Sequence, residues 1–194
     1  GYSLSELEPR MFSFNNPAGA CPRCDGLGAV EEFSTDRIVQ QPELSLPAGA
    51  IRGWDRRNAY YFQLITGLAR HYGFDLDTPF QTLPQAVRDV ILYGSGEEQI
   101  DFTYLDARGK PVMRRHPFEG VVPNIERRYQ ETQSNVVREE LSKYLAARTC
   151  PECHGSRLRP EARHVFIADK ALPQITAMPI DHVREFFAGL ALPG

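Results

Sequence analysis

A chain of 194 residues that is 42% hydrophobic and 24% charged has room for one good core or two small ones, with the composition of a globular protein. It contains no run of about 18 apolar residues, which excludes a membrane-spanning helix of ordinary length. Its formal net charge of -3 gives no global pull toward nucleic acid, so any such binding has to come from local patches.

Residues 2–15, with Leu4, Leu7, Met11, Phe12 and Phe14, read as extended chain leading into the turn NNPAG. The opening YSLSELEPRMFSFNN has neither a basic n-region nor an apolar h-region, so no secretory leader is expected; a start at Gly1 and an end at LALPG suggest a piece of a larger protein. Residues 30–40 predict a strand with a bend. Over 58–72, Tyr61, Leu64, Ile65 and Leu68 fall at i, i+3, i+4 and i+7, the pattern of an amphipathic helix that Gly73 would end. A second helix is predicted over 83–93, with Pro84 suited to its first turn. Residues 99–105 and 111–115 predict a hairpin across DARGK. Helices follow over 121–130 and 134–147, the latter with Val137, Leu141, Tyr144 and Leu145 on one face, then a strand over 162–168 and a final helix over 179–190 carrying Ile180, Val183, Phe186 and Phe187.

The four cysteines form two half-sites, CPRCDGLG from Cys21 and CPECHGSR from Cys150, with residues 25–149 between them. A Cys-x-x-Cys pair makes a poor structural disulfide, and zinc is the better reading. Each turn presents two thiolates from one tight loop, so Cys21, Cys24, Cys150 and Cys153 complete one tetrahedral site. Pro22 and Pro151 stiffen the turns, and Gly26, Gly28 and Gly155 let the chain fold back beneath the metal. Ordinary zinc ribbons separate their pairs by roughly 15 to 20 residues, so this site has to close the neck of an inserted domain. A redox dithiol is the rival reading, as are two separate sites completed by His116, His154 or His164. His154 directly follows Cys153 and is expected to stand behind the ligands rather than among them. The fold class is therefore α+β: a zinc-braced base of residues 1–29 and 148–194 carrying an inserted α+β domain, residues 30–147.

Local basic patches exist in that insertion. Arg52, Arg56 and Arg57 lie in IRGWDRRN, Arg108, Lys110, Arg114, Arg115 and His116 in DARGKPVMRRH, and Arg127 and Arg128 in NIERRYQET. They read either as phosphate contacts that carry no sequence information or as solvated faces of a mixed-charge surface. Trp54, Tyr60 and Tyr61, beside Arg56 and Arg57, read either as rings that stack on unpaired bases or as packing anchors. The acid pairs Asp75 with Asp77 and Glu139 with Glu140 have no positioned metal or base, and read as solvated charges rather than a nuclease site.

The blocks SLSELEPRMFSFNNPAGACPRCDGLG, GAIRGWDRRN, FEGVVPNIERRYQET, VREELSKYL and CPECHGSRL follow one another in this order. With them the chain resembles the UvrA family, the damage-sensing ATPases of the bacterial excinuclease ABC that acts in nucleotide excision repair. A lone CxxCxGxG would also fit chaperone zinc domains of the DnaJ kind, and the second knuckle has Arg157 in place of the last Gly; the flanking blocks decide the matter. The resemblance implies a segment of the first ATPase half, after the Walker A strand and before the ABC signature loop, in which a structural zinc anchors an insertion domain that approaches double-stranded DNA. No GxxxxGK[ST], LSGGE-like stretch or acidic Walker B strand occurs, so no catalytic residue is expected here. ATP with Mg, the UvrB component of the excinuclease and a homodimer belong by the same resemblance to the full-length protein in the bacterial cytoplasm. The alternative is a protein-interaction or scaffolding domain of the same ATPase with little DNA contact.

Overall fold

The computed structural model describes residues 7–106 and 108–191. Packing divides the chain into two units, Gly1–Glu32 with Ala147–Gly194, and Phe33–Ala146. Residues 2–6 of the expected extended lead lie outside the described residues, and Pro9–Phe12 form a 3-10 turn rather than extended chain. Pro9 favours that turn because its ring fixes φ where no N–H is needed.

Strand β1 (Ala29–Phe33) is shorter than the predicted strand over 30–40. Ser34 ends it, and the helical turn α1 (Thr35–Ile38) buries Ile38. Helix α2 (Ala59–Tyr72) begins where the Asn58 side chain accepts the Tyr61 N–H at 3.3 Å, and stops at Gly73, whose φ of +69° costs a glycine little. Helix α3 (Gln85–Tyr93) follows Pro84, which stands just outside the helix at φ -51° and ψ 142° rather than in its first turn. Strands β2 (Gln99–Leu105) and β3 (Pro111–Pro117) pair antiparallel, in a register running from Gln99 opposite Pro117 to Leu105 opposite Pro111. The predicted turn across DARGK therefore holds, though Ala107 within it lies outside the described residues.

Helix α4 (Val121–Glu131) matches its prediction, whereas α5 (Asn135–Ser142) ends early and the chain turns into β4 (Leu145–Thr149). The helical spacing across 134–147 is real, but β4 pairs with β1, and that pairing outweighs local preference for the last residues. Beyond the second knuckle, 162–168 is not one strand. Pro160 opens the turn α6 (Pro160–Arg163), and only β5 (Phe166–Ile167) is extended, pairing with β6 (Lys170–Ala171) across Ala168 at φ +52°. The chain closes with α7 (Leu172–Thr176) and α8 (Ile180–Ala188), and no residue of α8 is buried.

The larger unit has the larger core. Leu64, Ile65 and Leu68 of α2, Val87 and Ile91 of α3, Ile100 and Phe102 of β2, and Val121 and Ile125 of α4 are all buried in one cluster. Burial of side chains of this kind contributes roughly 1.5–3 kcal/mol each. Alternation on β2 turns Ile100 and Phe102 inward, and Gly67 of α2 lets the Phe102 ring lie against the helix, where a Cβ would sit 2.5 Å from the ring.

Candidate metal centre and nucleic-acid interface

In the unit Gly1–Glu32 with Ala147–Gly194, the two knuckles are tied back to back by main-chain bonds. The Cys21 N–H donates to the Arg157 carbonyl at 2.9 Å, the Cys150 N–H to the Gly28 carbonyl at 3.0 Å, and the Arg159 N–H to the Gly19 carbonyl at 2.9 Å. All four cysteines are buried and unbridged. Their sulfurs lie within 4.8 Å of one another, with Cys21 4.0 Å from Cys150 and Cys24 3.7 Å from Cys153. Four bonds of about 2.3 Å to a tetrahedral zinc set sulfur–sulfur edges of roughly 3.8 Å, whereas a disulfide needs about 2.0 Å. The spacing thus fits a shared ion.

The local electrostatics fit one as well. The Gly28 N–H points at the Cys24 sulfur at 3.2 Å. Burial pushes the Cys21 thiol up to about 11 and raises that of Cys24, while backbone N–H donation from Cys153 lowers Cys150 to about 7 despite its burial. A cation among the four would repay the cost of ionising the buried thiols. Gly26 is needed at its position, since a Cβ there would meet the Phe14 carbonyl oxygen at 2.1 Å. Arg157, standing in place of a glycine at φ +70°, lays its guanidinium 3.7 Å over the Phe14 ring and donates to the Gly26 carbonyl at 2.6 Å. His154 is exposed, and the cluster of close donor atoms among the described residues holds thiols alone.

The candidate cations of Phe33–Ala146 occupy unlike settings. Arg57 grips the buried Asp55 through Nε at 3.0 Å and Nη2 at 2.6 Å, and this contact holds the Asp55 carboxyl below the usual range. Arg127 is held by Glu119 at 2.7 Å and Glu131 at 3.1 Å, and Arg56 lies 3.3 Å from Asp77. Arg52 and half-buried Arg128 line a cavity of about 220 Å³ with Asn58, Tyr61, Glu140 and Tyr144. Arg108, Lys110, Arg114 and Arg115 are all exposed on the β2–β3 hairpin. Arg114 stands 5.9 Å from the Tyr104 ring and Arg115 3.9 Å from Asp101, and as neighbours on one strand they face opposite sides of it.

Trp54 is only 4% exposed, stacked on Tyr61 at 4.1 Å and edge-on to Phe118 at 5.9 Å, so it is a packing anchor rather than a ring open to bases. Tyr60 is exposed, with its ring 5.9 Å from that of Tyr104. The acid pairs are surface charges: Asp77 meets Arg56, and Glu140 meets Lys143 at 2.5 Å. Sequence reasoning missed Asp55 and Glu119 as partners of the arginines, and it missed Leu105, Val112 and Met113, apolar residues that the hairpin exposes beside its cations. Alternation along 99–105, which turns Leu105 away from Ile100 and Phe102, was the available signal for Leu105 and, through the hairpin register, for Met113; Val112 carried none.

Residues 35–143 match the family model of the UvrA DNA-binding domain. The chain belongs to the UvrA family. UvrABC system protein A of Xylella fastidiosa strain 9a5c is 60% identical over 193 residues, and that of Pseudomonas aeruginosa PAO1 is 60% identical over 194; each alignment covers 100% of this chain and 20% of the relative. The chain thus spans about one fifth of the length of these UvrA proteins. The crystal structure of UvrA2 from Deinococcus radiodurans superposes with a TM-score of 0.68 at 26% identity, covering 94% of this chain and 23% of that one. The UvrA DNA-binding match falls on the unit that carries the hairpin and its cations, apart from the cysteines.

Proposed function

We propose that this chain is the DNA-facing segment of a UvrA ATPase, in which residues 30–147 form an insertion domain that contacts duplex DNA and residues 1–29 with 148–194 form a base braced by one structural zinc. The match of residues 35–143 to the UvrA DNA-binding domain carries this reading. Zinc at Cys21, Cys24, Cys150 and Cys153 would have every position filled by thiolate, leaving none for an activated water, so its part is structural. Hydrolysis of ATP with Mg, docking of UvrB and homodimer formation fall to the remainder of a full-length protein in the bacterial cytoplasm, because this stretch lacks the phosphate-binding motifs.

Among the cations, Arg108, Lys110 and Arg114 serve best as phosphate contacts, joined by Arg115, whose pair with Asp101 is long at 3.9 Å; Arg52 and Arg128 come next, while Arg56, Arg57 and Arg127 are engaged more closely by carboxylates. Phosphate contact without base readout suits a protein that must examine any sequence. The test is titration of the chain into fluorescent duplex DNA across a salt series, with metal content measured on the same sample. Affinity should fall steeply with salt, and replacing Arg114 and Arg115 together by Ala should reduce the slope of log K against log salt by roughly 1–2. Zinc-replete protein that binds no duplex would favour the scaffolding role instead.

A further inference from the structure

Burial along β2 alternates at first, with Ile100 and Phe102 fully buried and Gln99 and Asp101 exposed, and gives way near the turn to half-buried Thr103 and Tyr104 and to Leu105, which is 58% exposed. On β3, opposite these residues, Met113 is 64% exposed and Pro111 is exposed too. The register places Leu105 opposite Pro111 and Thr103 opposite Met113, and the two-residue alternation puts all four on one side of the hairpin. A domain gains nothing by itself from leaving Leu, Met and Pro exposed together at the end of a hairpin.

The tip is held in shape. The Asp106 carboxylate accepts the N–H groups of Arg108 and Lys110, both at 2.8 Å, and the Asp106 N–H donates to the Lys110 carbonyl at 2.9 Å. Asp106 is thereby turned onto the backbone, and Arg108 and Lys110 remain exposed beside the apolar side chains, with Arg114 and Arg115 one step behind. Exposed apolar residues framed by cations match one partner chemistry well. A duplex offers phosphates on both rims of a groove and apolar base faces between them.

We infer that the β2–β3 hairpin is a wedge, in which Leu105, Pro111 and Met113 enter the minor groove of a duplex and part a base step while Arg108, Lys110, Arg114 and Arg115 hold the flanking phosphates. A two-stranded ribbon also fits the major groove, but reading base edges there needs hydrogen-bonding side chains, and Leu, Met and Pro have none to offer. They are the residue types that architectural proteins insert from the minor groove, at the cost of unstacking and with a kinked duplex as the result. Unstacking is cheapest where pairing is already weakened, so the wedge would prefer distorted sites without reading their sequence. The inference rests on the DNA-facing role proposed above.

The test uses this chain and duplexes carrying 2-aminopurine, with the salt slope of binding measured alongside. Wild-type protein should raise 2-aminopurine fluorescence several-fold on binding, as the probe base loses its neighbour. The Leu105→Ser, Met113→Ser double variant should bind with an unchanged salt slope and lose that rise, and Met113→Ala should lose part of it. Because these side chains are exposed, Trp54 emission should be the same in all three proteins. Salt-dependent binding by the wild type without a fluorescence rise, as expected if the tip docks on protein, overturns the wedge and leaves DNA binding intact. A full rise in the double variant also overturns it. Absence of any duplex binding overturns the DNA-facing role along with the wedge.

Discussion

Asp55 shows how far a charge can be from the role its neighbours suggest. Among Arg52, Arg56 and Arg57 it reads as a lone acid in a basic patch, yet it is buried and accepts the Arg57 N–H at 2.9 Å as well as two guanidinium donors. Hydrogen bonds to a buried charge contribute about 1.5–3 kcal/mol, so Asp55→Asn should lower stability by an amount of that order at neutral pH. The sign of the pH effect follows from the depressed carboxyl. Its contribution is complete above the ordinary carboxylate range, and is lost as pH falls through the lower folded value. Urea unfolding followed by Trp54 emission should therefore show the gap between wild type and variant closing below about pH 4; a gap constant with pH would mean that Asp55 acts by shape alone. The cysteines were legible in the sequence because each pair of ligands is local. The pairing of Arg127 with Glu119 was not, since an ion pair is chosen by the folded chain from many acids of equal standing.

Helix α2 was legible almost to the residue, because its apolar period and its Gly73 stop agree, and the Asn58 cap that the structure adds falls where that period begins. Such agreement fails where an element depends on a distant partner. Residues 145–147 continue a helical pattern but join a strand because β1 is there to pair with, and the strand expected over 162–168 is cut to Phe166–Ile167 by the helical turn that Pro160 begins. The two glycines of the α2 region make this contrast measurable. Gly73→Ala meets no atom within 4 Å and suffers only from its positive φ, a cost of roughly 1–2 kcal/mol. Gly67→Ala instead drives a methyl into the Phe102 ring, with a cost of about 1–3 kcal/mol set by how far β2 can yield. In a Phe102→Leu background the Gly67→Ala penalty in urea midpoint should shrink and the Gly73→Ala penalty should not. Equal penalties in both backgrounds would show that α2 and β2 pack less tightly than the ring contact implies.

The two units differ most in what can hold them folded. Phe33–Ala146 has a continuous core from Ile38 to Leu141, with Trp54 inside it. Among the described residues, the other unit buries the four cysteines and a few scattered apolar side chains, Leu158, Ala162, Ala171 and Ile175, while α8 buries nothing. So small an apolar interior cannot offset the entropy of ordering its residues, whereas a structural zinc contributes roughly 10–16 kcal/mol in small peptides. Removing metal with a chelator should then erase amide protection across α6–α8 and the two knuckles, while Trp54, the single tryptophan of the chain, keeps its emission. Arg108, Lys110, Arg114 and Arg115 all lie in the unit with its own core, so the chelated protein should also keep the salt slope of duplex binding. A red shift of Trp54 in step with metal loss would mean instead that the thiolate site holds both units as one cooperative fold, and the salt slope would then vanish with the metal.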